Sequence, residues 1–440
     1  MKLLHLNMYK KINYIVAVMI LLTSATVKAQ VTSQSPYSRY GLGNVKGLLL
    51  PQFKAMGGIS TGVFKPSMYF NNINMQNPAT YAGITSTTVD MGMSGTLKTL
   101  KKGSESEGSF NATLNHVALA FPIKAGRTGL SFGLLPFTEL GYENSSMGKI
   151  SSTDTNSVNR IYSGEGGLTK AYMGIGQQFG DHFRVGVNVE YIFGNMVQNS
   201  ALELQSSPSV NTKQQEKNSV GGIGFSYGAQ YEIPLSLKSR ITIGYSGSSP
   251  SSINSKRTFA VTRYLRQSTG EEGTAIDTPI LVENGSAKLK LPLVHNFGIS
   301  IQKDNKWLIG ADYRMGNWSK LSIDGVNSGL NDSWGASVGG QITPDITSIG
   351  SYFNRVDYRL GFAYDKTYIK VNDQDIKQMA VTFGLGLPLG YTRFAISKLN
   401  FTTELGRRGT LTNGLVQENY INFHLGITLN DTWFKRFKFD

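Results

Sequence analysis

From about residue 86 to the end of the chain, large apolar residues alternate with Gly, Ser, Asn and Thr at a period of two. That is the pattern of strands with one apolar face and one small polar face. In residues 223–233 one face carries Ile223, Phe225, Tyr227, Ala229, Tyr231 and Ile233, and the other Gly224, Ser226, Gly228, Gln230 and Glu232. The same grammar recurs from Val185 to Phe193 and from Ile421 to Leu429. A soluble sandwich also alternates, with its apolar face turned inward. Number and length favour a membrane: about fourteen runs of roughly 9–15 residues match the 9–11 residues a tilted strand needs to cross a bilayer.

The predicted fold is all-β: a transmembrane antiparallel β-barrel of about 14 strands (residues 85–430) with an N-terminal plug, or hatch, segment. Strands are expected near 86–97, 111–122, 128–142, 168–178, 183–194, 219–233, 239–250, 295–303, 307–318, 333–343, 356–365, 378–388, 397–406 and 420–430. Short links at 123–127, 179–182, 234–238, 304–306 and 389–396, with a medium one at 344–355, alternate with longer polar stretches at 98–110, 143–167, 195–218, 251–294, 319–332, 366–377 and 407–419. Bacterial barrels have short periplasmic turns and long extracellular loops in this order. An even strand count then places both termini on the periplasmic side of a Gram-negative cell outer membrane. On these faces Val187 points to lipid and Asn188 into the lumen, so Asn188→Arg is expected to be far milder than Val187→Arg.

Composition agrees with a surface partly solvated by lipid, since only 16% of the 440 residues are charged against about a quarter in a soluble protein. At the N-terminus Lys2, Lys10 and Lys11 precede the apolar run Tyr14 to Leu22, and Val27 and Ala29 stand at a cleavage-like site. Residues 1–29 therefore read as a signal peptide. A run that short does not span a hydrocarbon core, which needs about twenty residues as helix. Cysteine is absent, which removes disulfides, thiolate nucleophiles and cysteine-containing metal sites. Without the leader's four lysines, the chain carries 39 basic and 29 acidic residues. That excess suits anionic surfaces such as outer-membrane lipid and lipopolysaccharide, and acidic partners. The basic residues are scattered without a recognition motif, so no nucleic acid is expected. Residues 30–84 show no sustained period and hold Gly41, Gly43, Gly57, Gly58, Gly62 and several prolines. Composition leaves open a disordered periplasmic tail or a plug folded inside the barrel.

Ala55-Met56-Gly57-Gly58 followed by Asn77-Pro78-Ala79 resembles the N-terminal hatch of the FadL-type outer-membrane transporters for long-chain fatty acids and aromatic hydrocarbons. Leu291-Pro292, Gly298, Trp307, Asp312 and Trp318 resemble that family more specifically, and Gly133-Leu134-Leu135-Pro136-Phe137 and Tyr358-Arg359-Leu360-Gly361-Phe362 also have its look. The resemblance implies a plugged fourteen-stranded barrel in which a hydrophobic ligand enters a groove, reaches an internal pocket and leaves sideways past a kinked strand. Pro136 is a candidate for that kink, because proline removes a ladder hydrogen bond; an ordinary strand end is the alternative. The basic aromatic tail 431–440 departs from the family pattern and suits an interface or a docking partner. FadL-like barrels also include subunits of secretion or assembly machines that transport nothing.

Chemistry adds little to this picture. Gly224-Phe225-Ser226-Tyr227-Gly228 matches the hydrolase pattern G-x-S-x-G, which needs a sharp strand-to-helix turn; here it falls within unbroken alternation. His116, His182, His295 and His424 fall on separate segments without ligand spacing, so neither a metal nor another cofactor is expected, and no enzymatic step. Strand parity places Asp312, Arg314 and Trp318 in the lumen as gate candidates. Asp312 and Arg314 either hold the hatch or pair with lumen charges such as Glu190, Glu232, Arg359 or Glu404. Two functions follow: a hatch-gated passive channel for small hydrophobic molecules such as fatty acids, or a non-transporting barrel that holds other envelope proteins in a secretion or barrel-assembly complex.

Overall fold

The computed structural model describes residues 35–149, 157–204, 209–266, 272–327, 329–391 and 395–431. The expected signal peptide and all of the expected tail but Asp431 lie outside these residues. Eighteen strands are present: β1 (Asn44–Val45), β2 (Thr87–Lys102), β3 (Glu105–Lys124), β4 (Thr128–Lys149), β5 (Ser157–Phe179), β6 (Phe183–Leu204), β7 (Val210–Ser236), β8 (Ser239–Ser248), β9 (Ser251–Arg266), β10 (Glu272–Leu291), β11 (Val294–Lys303), β12 (Trp307–Gly316), β13 (Ser322–Ile323), β14 (Ser333–Ile342), β15 (Asp357–Val371), β16 (Gln374–Tyr391), β17 (Ala395–Gly409) and β18 (Gln417–Asp431).

Fourteen of them form the wall, namely β2 to β8, β11, β12 and β14 to β18, each antiparallel to its neighbours. Two junctions close the ring. β18 pairs with β2 from Gln417↔Lys101 to Asp431↔Thr87, and β8 pairs with β11 from Ser248↔Val294 to Ser239↔Lys303. Closure leaves no continuous sheet edge to face lipid, which is why strands can span a membrane at all. The short connections turn tightly, and Gly180 and Asn305 adopt left-handed backbone there with φ of 58° each, a conformation glycine and asparagine accept most readily.

All fourteen expected wall strands are present, but one side of the barrel is taller than its alternation indicates. β4, β5, β6 and β7 run for 22, 23, 22 and 27 residues, so most of the expected loops 143–167 and 195–218 are strand, as are most of those at 98–110 and 366–377. Likewise, residues 251–266 and 272–291 of the expected loop are the strands β9 and β10, and β9 pairs with the upper half of β7 from Val210↔Leu265 to Gly221↔Asn254. The reason is solvation. Beyond the bilayer both faces of a ladder meet water, so backbone pairing continues while the apolar alternation that reveals it stops.

Within the membrane span, parity holds as read. Val187 is 53% exposed on the outer face, whereas Asn188 is 2% exposed and donates to the Ser226 hydroxyl at 3.0 Å. A charge at residue 188 would meet a filled lumen, not an open one, which counts against the expectation that it is far milder than one at residue 187. Aromatic rings ring the wall at the long-loop end, with Tyr245 against Phe297 and Trp334 against both Tyr313 and Tyr364, the girdle position of such barrels.

Candidate functional site: a filled lumen and a seam in the wall

What fills the lumen is the N-terminal segment. Residues 50–64 and 70–84 are largely buried, and a short helix α1 (Pro51–Lys54) and a 3₁₀ turn (Pro78–Gly83) supply their only helical structure. An apolar cluster of Leu50, Phe53, Met56, Ile59, Ile73 and Tyr81 packs against Ala118, Ala120 and Leu308 of the wall. Small lumen-facing residues are docking slots for this backbone. A Cβ on Gly244 would collide with the Thr61 carbonyl, and one on Gly361 with the backbone of Met56 and Gly57. Several of the segment's buried backbone carbonyls accept from wall side chains, the partners buried backbone needs. Gln230 donates to the Thr61 carbonyl at 2.9 Å, Ser300 to that of Gly62 at 2.7 Å and Thr402 to that of Pro51 at 2.7 Å.

Asn77, Pro78 and Ala79 sit at the centre of this docking. The Asn77 side-chain oxygen accepts the Ala79 N–H at 3.1 Å, capping the 3₁₀ turn, and its amide donates to the Thr61 carbonyl at 2.8 Å. Asp312 faces the same region. One carboxylate oxygen accepts the N–H groups of Ser60 and Thr61, both at 2.8 Å. Arg314 does not join it but pairs with Asp365 at 2.8 Å, a partner that the sequence did not single out. Trp318 lies beyond the end of β12, on a 3₁₀ turn (Trp318–Lys320), rather than on the strand where it was expected. It stacks on Tyr368 with ring centroids 4.5 Å apart.

Pro136 marks a break in the wall. β3 and β4 pair only from Lys124↔Thr128 to Val117↔Leu134; above that point they part. Immediately beyond, β4 slips by one residue against β5 between Pro136 and Thr138, leaving Phe137 as the bulged residue. A proline cannot donate into a ladder and a bulge re-aims the strand, so both features suit a seam. Part of the free edge of β4 is taken by the N-terminal segment itself, with Asn44↔Glu139 and Val45↔Thr138 in register as β1. Glu139 also accepts from Asn111 of β3 at 3.0 Å and pairs with Lys46 at 2.5 Å. The sequence carried no sign of Glu139, since its role depends on where β3 leaves.

A cavity of about 550 Å³ lies beside the seam, lined by Asn111, Thr113 and Asn115 of β3, Pro136 and Phe137 of β4, and Val45, Leu48, Leu49 and Lys54 of the segment. Toward the long-loop end it is roofed by a second apolar cluster that includes Tyr37, Leu42, Trp318, Leu330 and Tyr368. Its lining charges are mostly paired, with Lys170 on Glu190 at 2.7 Å and Lys98 on Glu418 at 3.4 Å. The Lys54 ammonium makes no ion pair or hydrogen bond among the described residues, and the nearby Glu404 carboxylate, on the same cavity, is the opposite charge it feels. Ser226 lies mid-strand in β7 and donates to Glu190 at 2.8 Å, without the turn a nucleophile elbow requires. The lumen histidines are likewise engaged separately, His116 with Asp90 at 2.6 Å and His424 near Glu404 at 3.7 Å.

The path of the segment was not foreseen. Ser35 donates through its hydroxyl to Glu418 at 2.5 Å and through its N–H to the Gly141 carbonyl at 2.9 Å, which sets it inside the barrel at the long-loop end. Asp431, the last residue of β18, lies at the opposite, short-turn end. The described chain thus enters near one rim and descends through the lumen before β2 begins, instead of starting at the short-turn mouth.

Solved structures with this architecture include the Pseudomonas putida toluene transporter TodX, with 14% identity, a TM-score of 0.55 and coverage of 89% of this chain and 100% of that one. The Ralstonia pickettii toluene transporter TbuX has 14% identity, a TM-score of 0.54 and coverage of 88% and 99%. A Pseudomonas aeruginosa FadL homologue has 12% identity, a TM-score of 0.54 and coverage of 89% and 100%. These likenesses establish a FadL-type outer-membrane barrel fold. No curated protein matches the sequence. The family model described as BamG matches residues 8–440, nearly the whole length, and the chain accordingly belongs to the BamG family, built on the FadL-type barrel.

Proposed function

We propose that this barrel is a passive, hatch-gated channel that takes up small hydrophobic molecules with an acidic head, fatty acids among them, and releases them sideways between β3 and β4. The observation that carries this reading is the seam above Val117 and Leu134, whose two edges line the same internal cavity. An apolar solute gains free energy by leaving such a cavity into the bilayer core and would lose it by crossing water. Lys54, whose ammonium faces the cavity with no hydrogen bond or ion pair among the described residues and only the longer-range field of Glu404 as countercharge, is the group that would meet a carboxylate. The segment 35–84 is the hatch in this reading, held by Asp312 and Asn77, and no step needs a cofactor. Because the chain has no cysteine, Asn111→Cys with Glu139→Cys allows a short thiol cross-linker to tie the seam shut. Uptake of radiolabelled oleate into cells should fall on cross-linking and recover when a cleavable linker is cut. Uptake indifferent to the linker would sink the proposal.

A second reading, a barrel that holds other envelope proteins and transports nothing, is favoured by the hairpin above the rim. β10 pairs with β9 along its length, but among the described residues its other edge is engaged only near its end, at Leu289↔Ile323, at Lys290↔Ser322 and at the Lys288 carbonyl, which accepts the Asp324 N–H at 2.9 Å. Ile280, Leu281 and Val282 on it are each about half exposed. An open strand edge of that kind is a template for a partner strand, and the basic aromatic sequence of residues 432–440 suits a second contact. Gentle detergent extraction decides between them: stoichiometric envelope proteins that co-purify and are lost on shortening the hairpin favour this reading, and a barrel running alone favours the channel.

A further inference from the structure

A groove of about 810 Å³ runs along the lipid-facing side of β2, β3 and β15 to β18. Leu97 and Phe110 form one bank, Phe362 and Met379 the other. The ladder register fixes what stands across its upper end. Met379 is opposite Arg407, Arg407 opposite Asn419, Asn419 opposite Thr99 and Thr99 opposite Gly108. One step nearer the long-loop rim, on the same face, lie Lys101 of β2 and Lys377 of β16. Arg407, Lys101 and Lys377 are exposed, and none of their side chains makes an ion pair or hydrogen bond among the described residues. Acids do not neutralise them. Asp375, on the same face, is taken by Lys366 at 2.8 Å. Glu105 and Glu107 pair across from Lys102 and Leu100, whose parity is that of the lumen face.

Tyr364 is opposite Met379 in the β15–β16 ladder and packs on Trp334, so this end of the groove lies beside the aromatic girdle, the headgroup region of such barrels. Three unpaired cations at headgroup depth, above a groove with apolar banks, are complementary to a lipid with phosphate above and several acyl chains below. A guanidinium binds phosphate through two parallel hydrogen bonds, and an ammonium adds charge without fixed geometry. We propose that this groove binds a phosphate-bearing, multiply acylated lipid of the outer leaflet, with Arg407 and Lys377 on one phosphate, Lys101 on a second, and acyl chains between Phe110 and Met379.

The test is retention of bisphosphorylated lipid A by the full-length barrel in mild detergent, read by native mass spectrometry. One lipid A should be held per barrel, and Arg407→Gln with Lys377→Gln should weaken retention by about tenfold or more, the loss of a charge-assisted pair. Lys256→Gln with Lys288→Gln, on the hairpin, should leave it unchanged, and uncharged diacylglycerol should not compete. Millimolar inorganic phosphate should not displace the lipid; displacement would mean a bare anion site and overturn the proposal. Equal retention by the Arg407/Lys377 variant would overturn it too. If that variant does not reach the heat-resistant barrel form, Arg407→Lys keeps the charge and loses the fork, and it must then bind several-fold more weakly for the proposal to stand.

Discussion

Asp312 and Thr61 are 251 positions apart in sequence, yet the Asp312 carboxylate accepts the Thr61 N–H at 2.8 Å and that of Ser60 at the same distance. One wall side chain thereby ties down two consecutive peptide groups of the segment that fills the lumen. Asp312→Ala should leave both donors buried and unpaired, at a cost of about 2–4 kcal/mol. Asp312→Asn, which keeps an acceptor oxygen but not the charge, should cost roughly half as much. Urea unfolding of the barrel in lipid vesicles measures this, and wild-type stability for Asp312→Ala would show that the contact contributes nothing.

The glycine slots make a second prediction. Gly244→Ala places a methyl group against the Thr61 carbonyl, and the backbone on either side has no room to yield, so about 1–3 kcal/mol should be lost. Gly148→Ala meets no atom within 4 Å and should stay within about 0.5 kcal/mol of wild type. Equal effects in the same unfolding assay would mean that the close approach is not what the glycine serves.

Substitutions to arginine test the faces of the wall. Val187→Arg puts a charge against lipid near mid-depth and should cost about 2–4 kcal/mol. Asn188→Arg should also be severe, because its side chain is buried against Ser226 and close to Gly174. Ser94→Arg, which lines the open cavity, should be mild. Heat-modifiability on a gel reports the fraction folded, and a Val187→Arg barrel as abundant as wild type contradicts the lipid-facing assignment.

Removing residues 34–80 should leave the fourteen-stranded wall able to insert, since every wall strand lies after Thr87. Its lumen, wider than wall side chains alone can fill, should then conduct small ions and admit bulky antibiotics. Asn77→Ala, which removes the cap on Ala79 and the bond to Thr61, should give a weaker form of the same leak. A truncated barrel that inserts and conducts no more than the intact one would assign the segment to partner docking instead of gating.

Orientation is tested from outside the cell. An epitope near Ser268, between the ends of β9 and β10, should be labelled on intact cells, and one in the turn 179–182 only after the outer membrane is opened. The reverse pattern inverts the barrel.

Alternation at period two was enough to place all fourteen wall strands, because lipid on one side and a small-residue lumen on the other impose opposite chemistry on neighbouring positions. The same rule fixed the parity of Val187, Asp312 and Arg314. It failed where both faces meet water: the upper halves of β4 to β7 and the hairpin β9–β10 read as loops although they are ladder. Local sequence also flagged Pro136 and Asn77, whose conformational limits act on their own neighbours. It said nothing of Glu139 or Lys54, gave Gln230 a face but no partner, and did not distinguish a glycine that merely faces a lumen from Gly244, which makes room for Thr61. Those roles exist only once residues 35–84 are threaded through the ring from the long-loop end. A contact between Asp312 and Thr61 leaves no periodic trace in the chain, and neither does the point at which β3 leaves β4; closure of the barrel around its own N-terminal segment decided both.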